Sequence, residues 1–234
     1  MTAIINQDEN PKSVYGGKPY AYLYSWPTTN GTRPTIFLEL VKAKYYLHKL
    51  DISKKTQKED WYLKHNANGK IPTLVWVDIN GSATYINESA AILVFLAEKL
   101  DKEHKYSYAV GTEHYFKDLE WLFFILSGLG PNKSNWKYFS SLPEKNTKVI
   151  KKYKDELLRA LRVIETQLEK NQTGYLVGEH SGLADIALYP WIGKSQLSGL
   201  KKEITALPNV HEWIKKFDNN ATVQKGYSVF DQEA

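Results

Sequence analysis

A proline stands directly before an apolar segment that has the composition of a β-strand, and this arrangement restricts the folds open to the chain. Ile71-Pro72 precedes residues 73–77, whose sequence is TLVWV. Such β-branched and aromatic residues favour a strand. A prolyl bond at this point can be cis, which would leave the N–H and C=O of Ile71 facing outward to pair with an extended peptide. The segment therefore predicts a loop that feeds a strand and offers its backbone to a peptide.

A second motif, Glu88-Ser89, lies sixteen residues past Pro72 and precedes an apolar run over residues 90–96. The run predicts a helix, whose unsatisfied first-turn N–H groups favour an anion. Glu88 can accept from an ammonium group and Ser89 can donate to a carboxylate, and a γ-glutamyl group carries both. Taken alone, Ile71-Pro72 could be an ordinary turn proline, and Glu88-Ser89 could be an ordinary helix cap. Their occurrence together and in this order favours a peptide site.

The composition narrows the possible chemistry. The 234 residues suit one large domain or two small ones. The chain contains no cysteine, which excludes disulfides, thiolate metal sites and a cysteine nucleophile, so a reacting thiol would have to come from a ligand. The net charge of +5 is spread over dispersed lysines, which would attract an anionic ligand but do not indicate nucleic acid.

The sequence gives no sign of a membrane segment or a metal site. No apolar run approaches the roughly 20 residues that a membrane span needs, and the N-terminal residues lack a basic and apolar signal. His211-Glu212 is not followed by a second histidine at zinc spacing. We therefore expect a cytoplasmic protein without a metal or a membrane partner.

The hydrophobic pattern divides the chain into four parts. Residues 1–19 are polar and predict a flexible N-terminal arm, and residues 101–111 predict a linker. Residues 20–100 predict the order β-α-β-α-β-β-α, with Asn80-Gly81 as the turn of a hairpin. Residues 112–234 predict an all-helical domain. Its predicted helices cover residues 112–127, 144–170, 183–197 and 208–218.

Several further motifs carry a resemblance to one family. They are the PTTNG sequence at residues 27–31, EWLFF at 120–124, GLGP at 128–131, the long-helix residues Tyr153, Glu156 and Arg159, and YLVG at 175–178 leading to ADIA at 184–187. Over residues 20–228 the chain resembles the cytosolic glutathione transferases. Within them it is most similar to the nu-class and fungal nitrogen-catabolite-regulator-like enzymes.

The resemblance implies an α/β plus all-α fold, a thioredoxin-like domain followed by a helical domain, with glutathione as co-substrate. It implies that Asn30 and Thr28 face the sulfur of glutathione and hold it as a thiolate, although the same residues could form a turn that caps the next helix. Ser25 and Tyr24 are alternative residues for activating the thiol. Both lie in a predicted strand, a position that is more typical of structural residues.

The remaining site residues also follow from the resemblance and the two motifs. The predicted glutathione-binding residues are Gln57, Lys70, Ile71, Pro72, Glu88, Ser89 and Arg159. Gln57 and Lys70 would hold the glycyl carboxylate, unless they are simply exposed. Arg159 would approach the site of a partner subunit in a homodimer, unless it forms an exposed pair on its own helix.

Two functions remain open from the sequence. One is an enzyme that passes the thiol of glutathione to a small electrophile, a peroxide or a disulfide. The other is a weakly catalytic glutathione-binding module that regulates a protein partner.

One departure from the family concerns a helix cap. Gly182 stands where relatives have the Ser or Thr that caps a buried helix, so the sequence predicts that this side-chain cap is missing.

Overall fold

The computed structural model describes residues 2–11, 17–193 and 198–232. The chain forms two compact units. The first comprises residues 1–103 together with residues 220–234, and the second comprises residues 104–219.

A mixed five-stranded sheet forms the centre of the first unit. Its strands are β1 (Ala3–Ile5), β2 (Tyr20–Ser25), β3 (Tyr45–Lys49), β4 (Thr73–Val77) and β5 (Ala83–Asn87). The order across the sheet is β1-β3-β2-β4-β5. The pairs β1–β3 and β3–β2 are parallel, whereas β2–β4 and β4–β5 are antiparallel. The predicted hairpin is therefore present, with a longer turn in which the Gly81 N–H donates to the Asp78 carbonyl.

Helices of the first unit cover the sheet. They are α1 (Thr32–Leu40), the short α2 (Asp60–Leu63) and α3 (Ser89–Leu100). Short 3₁₀ turns at Ile52–Lys54 and Thr56–Lys58 lead into α2. Every residue of α1 is buried, which is unusual for a helix that contains polar residues. The predicted β-α-β-α-β-β-α order is confirmed, and α1 and α3 contact each other.

The prediction of a flexible arm over residues 1–19 is wrong for residues 3–11. Ala3–Ile5 forms the edge strand β1, which is too short to show a period in the sequence. Beyond it, three tyrosines at alternate positions of β2 point to one face and donate to backbone carbonyls of the arm. These bonds join Tyr20 to Pro11, Tyr22 to Asp8 and Tyr24 to Glu9, at 2.8, 2.5 and 2.7 Å. These hydrogen bonds hold residues 8–11 against β2. Residues 12–16 of the predicted arm lie outside the described residues.

The predicted boundary of the helical domain at residue 234 is also wrong, because the last part of the chain belongs to the first unit. The helix α10 (Ala221–Ser228) contacts α1. The Thr35 hydroxyl donates to the Gly226 carbonyl at 2.6 Å. A Cβ at Gly226 would lie 2.6 Å from the Ile36 Cα, so this close backbone contact requires glycine. The sequence of this short helix shows no strong apolar period, so it did not indicate that the helix belongs to the first unit.

The second unit is helical, as predicted. Its helices are α4 (Glu113–Phe124), α5 (Gly130–Ser141), α6 (Thr147–Asn171), α7 (Leu183–Ile192), α8 (Lys201–Thr205) and α9 (Pro208–Asp218). A π-helical turn at Ile125–Leu129 joins α4 to α5. The sequence did not predict α5, because glycine and proline at its start suggest a break, although proline is well tolerated in a first helical turn. Residues 194–197, which the predicted helix 183–197 included, lie outside the described residues.

A carboxylate from another helix replaces the side-chain cap that α7 lacks. Asp118 on α4 accepts the N–H groups of Leu183 and Ala184 at 2.9 and 3.0 Å. A Cβ at Gly182 would lie 2.4 Å from an oxygen of Asp118, so the glycine makes room for this carboxylate. Within α7, Asp185 accepts the Gly182 N–H and the indole N–H of Trp213 at 3.1 and 2.7 Å. The helix N-terminus is therefore satisfied by two buried carboxylates.

These carboxylates predict a pH-dependent stability. Burial raises the pKa of Asp118 to about 6, although the two backbone N–H groups oppose the shift. Because the folded pKa exceeds the unfolded value, the folded state binds the proton more tightly, and this stabilisation is lost as pH rises from about 4 through about 6. Relative to Asp118→Asn, the wild-type free energy of unfolding should fall by about 3 kcal/mol between pH 4 and pH 7.

Urea unfolding of the two proteins at several pH values measures this difference. The control is Asp155→Asn on the exposed side of α6, which should leave the pH profile unchanged. Parallel profiles for wild type and Asp118→Asn would contradict the assigned role of Asp118.

Candidate functional site

The register of two strands brings the two motifs of the sequence together. Thr73, which follows Pro72, pairs with Asn87, which precedes Glu88. The Thr73 hydroxyl donates to the Asn87 side-chain carbonyl at 2.7 Å. On the other side of β4, Thr73 pairs with Tyr24 near the end of β2. The segments that follow β2, precede β4 and follow β5 therefore meet at one edge of the sheet.

Buried polar side chains hold the turn before β4. The Lys70 carbonyl accepts from the Tyr62 hydroxyl and the Asn66 amide at 2.7 and 2.8 Å. Tyr62 and Asn66 also lie 2.8 and 3.1 Å from the Thr73 hydroxyl oxygen. A turn with both ends bonded to the same side chains is held in one conformation.

The Ile71–Pro72 peptide bond is cis, as the sequence analysis expected. Among the described residues, neither the N–H nor the C=O of Ile71 makes a hydrogen bond to the backbone. Ile71 is partly exposed, whereas Pro72 is buried. The structure therefore leaves a backbone donor and acceptor at the edge of the site, available to a ligand.

Glu88 and Ser89 form the entrance to α3. Glu88 has φ of 70° and ψ of 120°, a conformation that is costly for a residue with a Cβ. Its side chain is exposed, while Ser89 is buried as the first residue of the helix. The first turn of α3 contains no acidic residue. Its N–H groups and partial positive charge are thus available to an anion.

Gln57 and Lys70 lie on either side of Gly69. The glycine has φ of 59°, and a Cβ there would lie 2.8 Å from the Gln57 carbonyl oxygen, so the two segments pack closely. The Lys70 side chain is exposed. The Gln57 side-chain oxygen is buried and has no hydrogen-bond partner within the described part of the chain. Such a buried amide atom calls for a partner from a ligand or solvent.

The loop after β2 contains the predicted thiol-facing residues. The Thr28 hydroxyl accepts the Gly31 N–H at 3.0 Å, and the Thr28 carbonyl accepts the Thr32 N–H at 2.9 Å. Thr28 therefore shapes the turn into α1, as the alternative interpretation held, and its hydroxyl proton remains a donor. The Asn30 side chain is exposed, and it makes no hydrogen bond within the described part of the chain.

Ser25 and Tyr24 are placed as structural residues. Both are fully buried. The Ser25 hydroxyl donates to the Gly31 carbonyl at 2.9 Å, and the Tyr24 hydroxyl donates to the Glu9 carbonyl. Burial raises the pKa of the Tyr24 phenol, with smaller contributions from neighbouring tyrosines and from Asp8. Neither group is poised to receive a thiol proton.

Arg159 belongs to the second unit, whereas the other predicted site residues belong to the first. It lies on α6 of the second unit, where its guanidinium donates to Glu156 at 2.9 Å in an exposed pair. This is the arrangement that the alternative interpretation predicted for it.

One residue of the site escaped the sequence analysis. Arg33 on α1 is completely buried, and its guanidinium donates to the Ser89 hydroxyl at 2.8 Å. A charged residue inside a short helix was a signal, because arginine is rarely buried without a specific partner. The sequence could not show that this partner lies fifty-six residues away.

The described residues offer neither a metal site nor a membrane-spanning helix. They contain no group of three or more His, Cys, Asp or Glu side chains placed to hold a metal ion. None of the described helices combines the length and the apolar character that crossing a bilayer requires.

Comparison with known proteins places these features in a family. Residues 29–99 match the model of the glutathione S-transferase N-terminal domain, and residues 118–220 match that of the C-terminal domain. The disulfide-bond oxidoreductase YfcG of Escherichia coli is 33% identical over 199 residues, which cover 83% of this chain and 88% of that protein.

Solved structures give the same result. A glutathione transferase homologue from Lodderomyces elongisporus, with two GSH per subunit, has a TM-score of 0.83 and 37% identity, over 91% of this chain and 99% of that one. The glutathione transferase URE2P6 from Phanerochaete chrysosporium, in complex with oxidized glutathione, has a TM-score of 0.81 and 34% identity, over 90% and 96%. The chain, with its mixed sheet followed by a helical unit, belongs to the glutathione S-transferase family and is similar to its Ure2p-like members.

Proposed function

We propose that this chain binds glutathione at the sheet edge formed by the Lys70–Pro72 turn and the Glu88-Ser89 entrance to α3, and uses the thiol of the bound peptide. The observation that carries the proposal is the Thr73–Asn87 pairing, which joins a peptide-like backbone edge to a helix N-terminus. The family and its relatives with bound glutathione support it.

The chemistry of the tripeptide assigns each contact. Its α-carboxylate binds at Ser89 and the N-terminus of α3, and its ammonium group binds the exposed carboxylate of Glu88. The backbone of its cysteine pairs with Ile71 beside Pro72. Its glycyl carboxylate binds Lys70 and Gln57, and the buried oxygen of Gln57 can accept a peptide N–H.

The thiolate is held by the loop after β2. Asn30 offers an exposed amide, Thr28 retains a hydroxyl proton, and α1 begins directly after them. A charge-assisted hydrogen bond contributes about 1.5–3 kcal/mol. This corresponds to roughly one to two units of thiol pKa, which lowers the pKa from about 8.5 to about 6.5–7.5 and ionises a substantial fraction of the sulfur near neutral pH.

We favour disulfide reduction as the reaction, because the chain has no cysteine and relatives carry the name disulfide-bond oxidoreductase. The glutathione thiolate attacks one sulfur of the substrate, the S–S bond breaks, and the departing thiolate takes a proton. A second glutathione thiolate then attacks the mixed disulfide, which gives oxidised glutathione and a second thiol. Both electrons thus come from the two glutathione molecules.

Attack on a small electrophile or a peroxide uses the same thiolate and remains a second activity of the site. A weakly catalytic module that acts through a protein partner is the other candidate, and the fold likeness to Ure2p is compatible with it. Steady-state rates with a disulfide, a peroxide and an aromatic electrophile separate these functions, since the regulatory module would turn over none of them well.

We also propose that the chain is a cytoplasmic homodimer. Phe116 and Phe123 on α4 are each 60% exposed, and their spacing of seven residues places them on one face of the helix. A second copy of this chain is the partner that the family resemblance indicates. Arg159 would then approach the glutathione of the partner subunit.

The binding site is tested by Ser89→Ala. Loss of one hydrogen bond to a charged group should weaken glutathione binding by about 1–3 kcal/mol, measured by calorimetry. The matched control is Ser82→Ala on the exposed hairpin turn, which should bind normally. Absence of binding to the unmodified protein would end the proposal.

The thiol-activating role is tested by Asn30→Ala. Because Asn30 would act on the thiolate more than on the rest of the ligand, turnover should slow by roughly tenfold to a hundredfold while glutathione affinity stays nearly constant. Asn80→Ala, on the hairpin turn, serves as the control. Unchanged turnover in Asn30→Ala together with inactivity of Ser25→Ala would show that a buried hydroxyl activates the thiol instead.

The dimer is tested by replacing both exposed phenylalanines of α4 with glutamate. Light scattering of the unmodified protein should give about twice the 26.9 kDa of one chain, whereas the variant should give one chain mass. Ile79→Glu, at an exposed position of the hairpin, is the control and should remain dimeric. A monomeric unmodified protein at micromolar concentration would be inconsistent with this proposal.

A further inference from the structure

The Arg33 guanidinium contacts the Ser89 hydroxyl, and the proposed binding mode assigns no role to this contact. Arg33 is completely buried in α1 and Ser89 is 5% exposed at the start of α3. Their side chains meet at 2.8 Å, across helices that contact each other. The guanidinium thus lies directly behind the hydroxyl that the proposal assigns to the ligand.

The direction of this hydrogen bond determines what Ser89 can do. A guanidinium has only donors, so the Ser89 oxygen must be the acceptor. The single hydroxyl proton of Ser89 then remains free to donate elsewhere. A hydroxyl that accepts from a cation is also polarised, and it becomes a stronger donor to an anion.

The charge of Arg33 acts in the same sense. Burial lowers the pKa of Arg33 to about 9, while the Tyr227 phenol opposes the shift, so the side chain is cationic at neutral pH. In a buried setting a positive charge is screened less than at the surface. An anion at Ser89 therefore meets the hydroxyl proton, the helix N-terminus and the field of one buried cation.

We propose that Arg33 is a positioning residue: it orients and polarises the Ser89 hydroxyl toward the α-carboxylate of the bound γ-glutamyl group. The inference rests on the proposed function and deepens it. It implies that the affinity for the α-carboxylate depends on a residue that the carboxylate does not touch.

The test compares two peptides that differ only in this carboxylate. One is glutathione and the other is 4-aminobutyryl-cysteinyl-glycine, which keeps the ammonium group and lacks the α-carboxylate. In Arg33→Met, glutathione affinity should fall by about tenfold to a hundredfold. The affinity of the second peptide should change by less than about twofold, because the lost interaction involves only the carboxylate.

Two further variants make the test specific. In the Ser89→Ala background, Arg33→Met should weaken glutathione binding clearly less than it does in the unmodified protein, since the part of its effect that passes through the hydroxyl is already lost. Arg33→Lys keeps a charge and a donor, so it should retain part of the glutathione affinity. If Arg33→Met does not fold, Arg33→Lys replaces it in the comparison of the two peptides. Arg162→Met, an exposed arginine of α6, is the matched control and should change neither affinity.

The outcomes separate the inference from the proposed function. Equal weakening of both peptides would show that Arg33 supports the fold alone, and fully additive effects of the two substitutions would show that Arg33 does not act through Ser89; either result would overturn the inference. Unchanged glutathione affinity in a folded Arg33→Met would do the same, with the proposed function intact. If the unmodified protein bound neither peptide, the proposed function itself would fail.

Discussion

The pairing of Thr73 with Asn87 is the interaction on which the candidate site depends. It places the proline turn and the entrance to α3 side by side, although they are well separated in sequence. The Thr73 hydroxyl also lies within hydrogen-bonding distance of Tyr62 and Asn66, which both donate to the Lys70 carbonyl. The Thr73 hydroxyl thus connects the two segments that would contact the ligand on either side, and the sheet holds both of them rigidly.

The sequence predicted the parts of this site that have a local signature. A proline before an apolar strand and an acidic-serine pair before an apolar helix each follow from short-range chemistry, and the structure places both at the same sheet edge. The sequence did not reveal Arg33 or the Tyr62–Asn66–Thr73 network. These depend on contacts between residues far apart in the chain or on opposite elements, which no periodic pattern reports.

The errors in the fold prediction have the same origin. The strand Ala3–Ile5 is defined by its neighbour β3 more than by its own three residues. The last helix packs extensively on α1 of the first unit, with Val223 buried and a close backbone contact at Gly226. At α7 the sequence showed correctly that the usual capping side chain is missing. It could not show that Asp118, on another helix, supplies the cap.

We propose that this chain lowers the pKa of a thiol that it does not itself possess, the thiol of bound glutathione. Because the sequence contains no cysteine, thiolate absorbance in the ultraviolet reports only the bound peptide. A pH titration of glutathione bound to the unmodified protein measures this directly. We predict a thiol pKa roughly one to two units below the ordinary value of about 8.5. A bound thiol that titrates at its ordinary pKa would contradict it.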